Sequence, residues 1–327
     1  MRYIIIGAGA VGGAIGGRLA EAGREVVLVA RGAHAAALRE SGLRLLSPGG
    51  VAKPAVPVAE GPEDVELRPD DVLILAVKTQ DTLAALEQWA PYAAHLPLLC
   101  AQNGVRNEEL ALRRFARVYG VCVWLPAQHL EPGRVTTFSA PLTGMLHLGT
   151  YPEGPPDRTI REIAADLEDA GFLAPVVPDV LRWKYAKLVT NLANALEAVC
   201  GPAGPDTPRL GELYGRVFAE GTTVLNAAGI PFASETEQAE LRGDRLQLRR
   251  VPGVRRVGGS SAQSLLRGKG SIETDYLNGE IVLLGRLHRV PTPLNAALQQ
   301  AANAFAREGR KPGSMSPEEL TALAASL

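Results

Sequence analysis

A short apolar run, YIII at residues 3–6, meets glycine at once, and GAGAVGGAIGGRLAEAG separates it from the next apolar run, EVVLVA at 25–30. That order of strand, glycine-rich turn, helix and second strand constrains the fold more than any other feature, because Gly7, Gly9 and Gly12 fall in G-x-G-x-x-G register where the strand gives way to the helix. Gly7 admits a tight turn, Gly9 lets a pyrophosphate come up to the backbone, and Gly12 lets the helix lie close on the strand. Ala8, Ala10 and Val11 complete the loop, and the helix N-terminus behind it offers free N–H groups to phosphate. The register predicts a dinucleotide site on Gly7–Gly12.

Further Val/Ile/Leu-rich runs follow at 72–77, 96–101 and 117–123, alternating with Ala/Leu/Glu-rich segments of helical period. Runs apolar throughout fit strands buried on both faces, so a parallel sheet covered by helices is expected. After Gln128 the strand-like pieces shorten, to 133–139 and 145–149, and are expected as a meander extending the sheet at its edge. From Pro178 no strand pattern convinces, while helical stretches run around 180–199, 209–228, 273–288 and 293–307. The predicted architecture is α/β: a Rossmann-type doubly wound parallel sheet over residues 1–177 and an all-helical domain over 178–327, joined at PVVPD. CGPAGPDTPR at 200–209 separates two helices, since proline cannot continue a helix interior.

Lysine and arginine number 34 against 35 acids, so no bulk charge recommends nucleic acid or an anionic membrane as partner, and a small molecule is expected instead. No apolar segment approaches the ~20 residues that span a bilayer. Nor is the N-terminal apolar run long enough for a signal-peptide core. Cys100, Cys122 and Cys200 have no metal-ligand or redox spacing and read as reduced packing residues, so no metal site is predicted and the expected location is the cytoplasm.

The end of the second strand bears on which dinucleotide binds. An NAD site would want Asp or Glu there for the ribose hydroxyls, whereas this chain has Ala30 and Arg31. Arg31 suits a 2′-phosphate, which points to NADPH, although a solvated arginine at a strand end is also common. His34 lies close enough to help, or is simply exposed. Two later strand ends reach the same side of such a sheet: Lys78 and Gln80 after one, Gln102, Asn103 and Gly104 after the other. Their amine and amides could hold the nicotinamide ribose and a substrate oxygen; Asn-Gly equally makes a plain turn.

In KYAKLVTNLANAL, residues 184–196, Lys187, Asn191 and Asn194 form one helical stripe. Thr190, Asn191 and Asn194 are poor helix formers, so this face is easier to explain lining a polar cleft than facing solvent. A lysine there could deliver a proton to a carbonyl oxygen taking up hydride, given desolvation or a neighbouring cation to lower its pKa; Lys184, one turn earlier, could share the task. Glu273 in SIETDYLNGE offers a partner acid, and Ser260 and Ser261 offer hydroxyls to a carboxylate. Taken singly, these are also a helix start and a glycine-serine loop.

Together, GAGAVG, VK at 77–78, QNG at 102–104, the W-x-x-x-K-x-x-x-N of Trp183, Lys187 and Asn191, the SS pair and E-x-D-Y-x-N-G at 273–279 resemble the ketopantoate reductase (2-dehydropantoate 2-reductase) family over nearly the whole chain. The resemblance implies NADPH-dependent reduction of a 2-oxo acid to a 2-hydroxy acid in the pantothenate pathway. By position it implies Lys187 as general acid and Glu273 as its partner, with Asn103, Asn191 and Ser261 binding substrate and Arg31 the 2′-phosphate. Lys78 would sit where cofactor and substrate meet, and Gln80, Asn103 and Glu273 would also touch the cofactor. The family's second helix asparagine falls at Ala195, leaving Asn194 as the neighbouring candidate for substrate, and SSAQSLL lacks the family's aspartate. A further asparagine expected near residue 205 is replaced by CGPAGP. These departures fall on substrate contacts, so a reductase of another 2-oxo acid stays open, as does a non-catalytic NADPH-binding regulator. A homodimer is compatible with this reading, which the sequence does not fix.

Overall fold

Arg2–Ile6 (β1) is buried along its whole length, as a strand covered by helices on both faces must be. The computed structural model describes residues 1–204, 207–268 and 270–327, so Pro205 and Asp206 of the proline-rich break lie outside the described residues. It places β1 inside an eight-stranded sheet whose further strands, in chain order, are Glu25–Val29 (β2), Val58–Ala59 (β3), Asp71–Leu75 (β4), Pro97–Cys100 (β5), Arg117–Trp124 (β6), Gly144–Tyr151 (β7) and Phe172–Leu173 (β8). The spatial order is β8-β7-β6-β5-β4-β1-β2-β3. Strands β1 to β6 are parallel, and β7 turns antiparallel to β6. The run 3-2-1-4-5-6 is the doubly wound order, whose winding reverses between β1 and β4 and opens a crevice at the carboxyl ends of the strands.

Helix Ala10–Glu21 (α1) fills the space between this sheet and a second one. A Cβ on Gly12 or Gly16 would stand 2.8 Å from Ile5 Cγ2 or 2.7 Å from Leu28 Cδ2; on Gly13 or Gly17 it would stand 2.8 Å from Val135 Cγ2 or 2.9 Å from Leu43 Cδ2. Glycine costs a helix about 1 kcal/mol per residue against alanine, and here the loss is offset by backbone contact on two sides. The second sheet corrects one expectation. Arg134–Thr137 does not extend the main sheet; it pairs parallel with Arg44–Ser47 in a four-stranded sheet completed by Gly50–Ala52 and Ala127–Gln128. Its inward Val135 and Leu45 are 0% and 1% exposed beneath α1.

The remaining helices of the first half are Gly32–Ser41 (α2), Thr82–Ala93 (α3), Asn107–Leu112 (α4) and Arg158–Asp169 (α5). Those that follow are Val180–Asn191 (α6), Ala193–Cys200 (α7), Pro208–Ala227 (α8), Glu235–Arg242 (α9), Ser260–Leu266 (α10), Asn278–His288 (α11), Pro293–Glu308 (α12) and Pro317–Ala325 (α13). The chain divides into two compact units, Met1–Trp183 with Ser234–Arg255, and Lys184–Ala233 with Arg256–Leu327. The segment 234–255 returns to the first unit because Leu246–Leu248, in a region where the sequence promised helices only, pairs antiparallel with Ser139–Pro141. Among the described residues no helix is long and apolar enough to cross a membrane.

The second unit is organised by buried polar groups as well as by apolar faces. Glu220 of α8 accepts the N–H groups of Leu294 and Asn295, each at 2.9 Å, so a carboxylate caps the start of α12. Asn295 in turn accepts at 3.0 Å from Asn278 Nδ2, which also donates to the Leu192 carbonyl at 3.1 Å. That donation accounts for a second correction: the stretch expected as one helix over 180–199 is interrupted at Leu192, where a side chain enters the helical ladder.

In the first unit His147 of β7 is fully buried and stacked on Trp183 at 4.3 Å. Burial, opposed only in part by the Cys122 backbone, pushes its imidazole down to about 4. An unfolded histidine takes up its proton near 6.5, so protons favour the unfolded chain between these values. Stability is therefore fully present above about pH 6.5 and should fall by up to about 3 kcal/mol as pH drops to 4. Urea midpoints measured across that range should decline less steeply in His147→Phe than in wild type; parallel curves would contradict the assignment.

Candidate active site

The two units carry different sets of candidate residues. In the first, Gly7 turns the chain out of β1 at φ +99°, and a Cβ there would stand 2.8 Å from Val77 Cγ1. A Cβ on Gly12 would overlap the Gly7 carbonyl oxygen. Packing therefore demands both glycines. It does not demand Gly9, where the nearest atom to an added Cβ is His129 Nδ1 at 3.9 Å. An open backbone at Gly9, ahead of the N-terminus of α1, is the cradle that a pyrophosphate fits.

His34 belongs to the support of that loop. Its Nδ1 accepts the Gly133 N–H at 2.9 Å, so in the neutral ring Nε2 carries the proton and donates to the Ala8 carbonyl at 2.7 Å. Arg31 follows β2 as the residue before α2; it is exposed, and its guanidinium donates to Gln88 Oε1 of α3 at 2.7 Å. Lys78 and Gln80 follow β4, and Asn103 follows β5, all three partly buried. The structure thus brings the predicted cofactor residues Gly7–Gly12, Arg31, Lys78, Gln80 and Asn103 to the carboxyl ends of β1, β2, β4 and β5, with Ala10–Gly12 in the first turn of α1 and Gln80 in the 3-10 turn Thr79–Asp81. Gln102 departs from expectation: it turns inward, 4% exposed, and donates to the Val77 carbonyl and Thr82 Oγ1 at 3.0 and 2.8 Å. With Asn107, which donates to the Asn103 carbonyl at 3.0 Å, it braces the two loops.

In the second unit α6 carries Lys184, Lys187 and Asn191. Lys184 is buried and Lys187 partly exposed. Asn191 Nδ2 and Ser261 Oγ are buried with no hydrogen-bond partner, although their residues are only 4% and 2% exposed. Asn194, beyond the break at Leu192, has its Nδ2 3.5 Å from both Asn191 Oδ1 and Ser260 Oγ. The asparagines and the serine pair are therefore brought together, though not on one continuous helix face. Ala195 is 1% exposed and packs in the core.

Glu273, 2% exposed, opens the 3-10 turn Glu273–Tyr276. Burial lowers the Arg267 guanidinium from its ordinary range, and the Glu273 carboxylate acts in the opposite sense. The rest of E-x-D-Y-x-N-G is structural. Asp275 accepts from Gln299 and Asn303 of α12 at 2.8 and 2.7 Å, Asn278 holds Leu192, and a Cβ on Gly279 would meet Gln299 Nε2 at 2.7 Å. Sequence reasoning missed His34 as a brace, Asn107, Arg267 and Asn278. None carries a local signal, since each acts on a residue from another element. Among the described residues no cluster of His, Cys, Asp and Glu could hold a metal ion.

The family model described as ketopantoate reductase PanE/ApbA matches residues 3–153, and its C-terminal counterpart matches 179–306. A 2-dehydropantoate 2-reductase of Pyrococcus horikoshii is 29% identical, over 91% of this chain and 95% of its own length. The crystal structure of a PanE/ApbA family ketopantoate reductase from Ralstonia eutropha JMP134 superposes with a TM-score of 0.77 at 29% identity, covering 95% of this chain and all of that one. A D-mandelate dehydrogenase solved with NADH and anilino(oxo)acetate shares the fold, at 22% identity and a TM-score of 0.76, over 95% of this chain and all of its own. With both family models matched in order over most of its length, the chain belongs to the ketopantoate reductase family.

Proposed function

We propose that the chain reduces 2-dehydropantoate to pantoate with NADPH, a step of pantothenate biosynthesis in the cytoplasm. The observation that carries this reading lies in the second unit. Asn191 Nδ2 and Ser261 Oγ are buried without partners, and a buried polar group left unpaired costs about 1–3 kcal/mol. A substrate bearing hydroxyl, carbonyl and carboxylate oxygens would repay that cost at both atoms, and Lys187 lies one helical turn before Asn191.

When bound, the reduced nicotinamide supplies a hydride. Lys187 donates a proton to the oxygen developing charge at C2, and Glu273 is the acid that holds the lysine in place. Ser261 donates to the substrate carboxylate, while Asn191 and Asn194 orient the remaining oxygens; Asn103 is a further substrate contact that the family resemblance implies. From the first unit, Asn103, Lys78 and Gln80 would hold the nicotinamide end of a bound cofactor; Glu273 is a further cofactor contact that the family resemblance implies. The loop from Gly7 to Gly12 receives the pyrophosphate, and Arg31 the 2′-phosphate. Gln88 already fixes the Arg31 guanidinium, which lowers the ordering cost of that contact.

A second reading, reduction of a different 2-oxo acid, is favoured by one observation: the position of the family's second helix asparagine is the core residue Ala195. Assays with a panel of 2-oxo acids and both cofactors separate the two. No turnover of 2-dehydropantoate with either cofactor would overturn the first. Lys187→Ala should lower kcat roughly hundredfold or more while NADPH affinity, read by fluorescence titration, stays nearly unchanged; an undiminished rate would remove Lys187 from the chemistry. Arg31→Ala should weaken NADPH about tenfold or more, the worth of one charge-assisted contact, and NADH little. Equal losses would show that Arg31 does not read the 2′-phosphate.

A further inference from the structure

The serine pair is tied to α7 by a residue outside every motif. Glu197 Oε2 accepts the N–H of Gly259 at 2.9 Å, and Gly259 is the N-cap of α10, the helix that Ser260 and Ser261 begin. A glycine N-cap has no side chain with which to accept its helix's free N–H groups; here a carboxylate from another helix takes up the N–H of the cap residue itself. The two glycines ahead of the serines are shaped by the same contact. A Cβ on Gly258, which sits at φ +60°, would stand 2.8 Å from Glu197 Oε1; on Gly259 it would stand 2.8 Å from Asn194 Oδ1 and 3.0 Å from Glu197 Oε2. Asn194, one turn before Glu197 on α7, faces Ser260 Oγ at 3.5 Å.

We propose that Glu197 is a positioning residue for substrate: it latches the Gly258–Ser261 turn to α7 and so fixes where the buried Ser261 hydroxyl is presented. The proposal rests on the reading of Ser261 as a substrate contact. It also accounts for α7 as it stands in this chain. With Ala195 in the core, that helix offers no amide at the family's position, and its polar contribution passes through Asn194 and Glu197 onto the serine turn. The bond joins a carboxylate to a backbone N–H, and such charge-assisted contacts are roughly twice as strong as neutral ones.

Glu197→Ala and Glu197→Gln test it, since the carboxamide oxygen of Gln can still accept from Gly259. In the ligand-free protein, Glu197→Ala should speed amide hydrogen exchange across residues 259–264, and Glu197→Gln should restore most of the protection. In turnover, Glu197→Ala should raise KM for the 2-oxo acid about tenfold, change kcat little and leave NADPH affinity alone, with Glu197→Gln close to wild type. Unchanged exchange in Glu197→Ala would overturn the latch. Faster exchange with an unchanged KM would keep the latch and overturn its bearing on substrate, and a Gln variant as impaired as Ala would show that charge rather than the bond is at work. The exchange result stands apart from catalysis, so it survives if 2-dehydropantoate proves not to be the substrate.

Discussion

The seating of α1 is the constraint on which the first unit depends. Its glycines at 12, 13, 16 and 17 let the helix backbone touch the side chains of two sheets at once, and close packing of this kind tolerates little added volume. That seating fixes where the helix begins, and with it the turn at Gly7 and the open backbone at Gly9. His34 adds a bond from outside, holding the Ala8 carbonyl. A loop that takes up phosphate would have to present N–H groups in a set geometry before its ligand arrives, and at Gly7–Gly12 the geometry is imposed by packing on both faces of one helix.

The second unit solves a different problem, that of holding polar groups in a buried setting. Its structural amides are satisfied: Asn278 and Asn295 are fully buried and bonded to each other, to backbone carbonyls or to Glu220. Against that background Asn191 Nδ2, Ser261 Oγ and Arg267 Nε stand out among the unit's described residues as buried atoms without a hydrogen-bond partner. A fully bonded network rigidifies its surroundings, and the proposal that Asn191 and Ser261 meet substrate rests on their lacking such bonds. The break at Leu192 separates Asn191 from Asn194 along the chain, yet Asn194 still reaches toward both Asn191 and Ser260.

Much of this was legible in the sequence, and the reasons are local. Strands β1, β2, β4, β5 and β6 are dominated by apolar runs, four of them after a charged first residue, and the glycine register names its own turn. The lysine-asparagine helix betrayed itself by poor helix formers on a face where good ones cost nothing. What stayed hidden was decided by distant partners. Nothing in RVTT at 134–137 says that it will pair with RLLS at 44–47. LQL at 246–248 is a strand only because Ser139–Pro141 lies beside it. The interruption at Leu192 is made by a side chain 86 residues later, and Glu197 reads as an ordinary helix-surface glutamate until the serine turn is placed against it. Residue types suggested the candidate chemistry, while the contacts that hold those residues emerged only with the fold.

If this chain moves a hydride to C2 of a 2-oxo acid, the most direct measurement of that transfer follows the hydride itself. NADPH dideuterated at C4 of the nicotinamide, incubated with the protein and 2-dehydropantoate, should yield pantoate carrying one deuterium bonded to C2, seen by mass spectrometry and NMR. Pantoate formed without the label, or no pantoate with either nicotinamide cofactor, would contradict it.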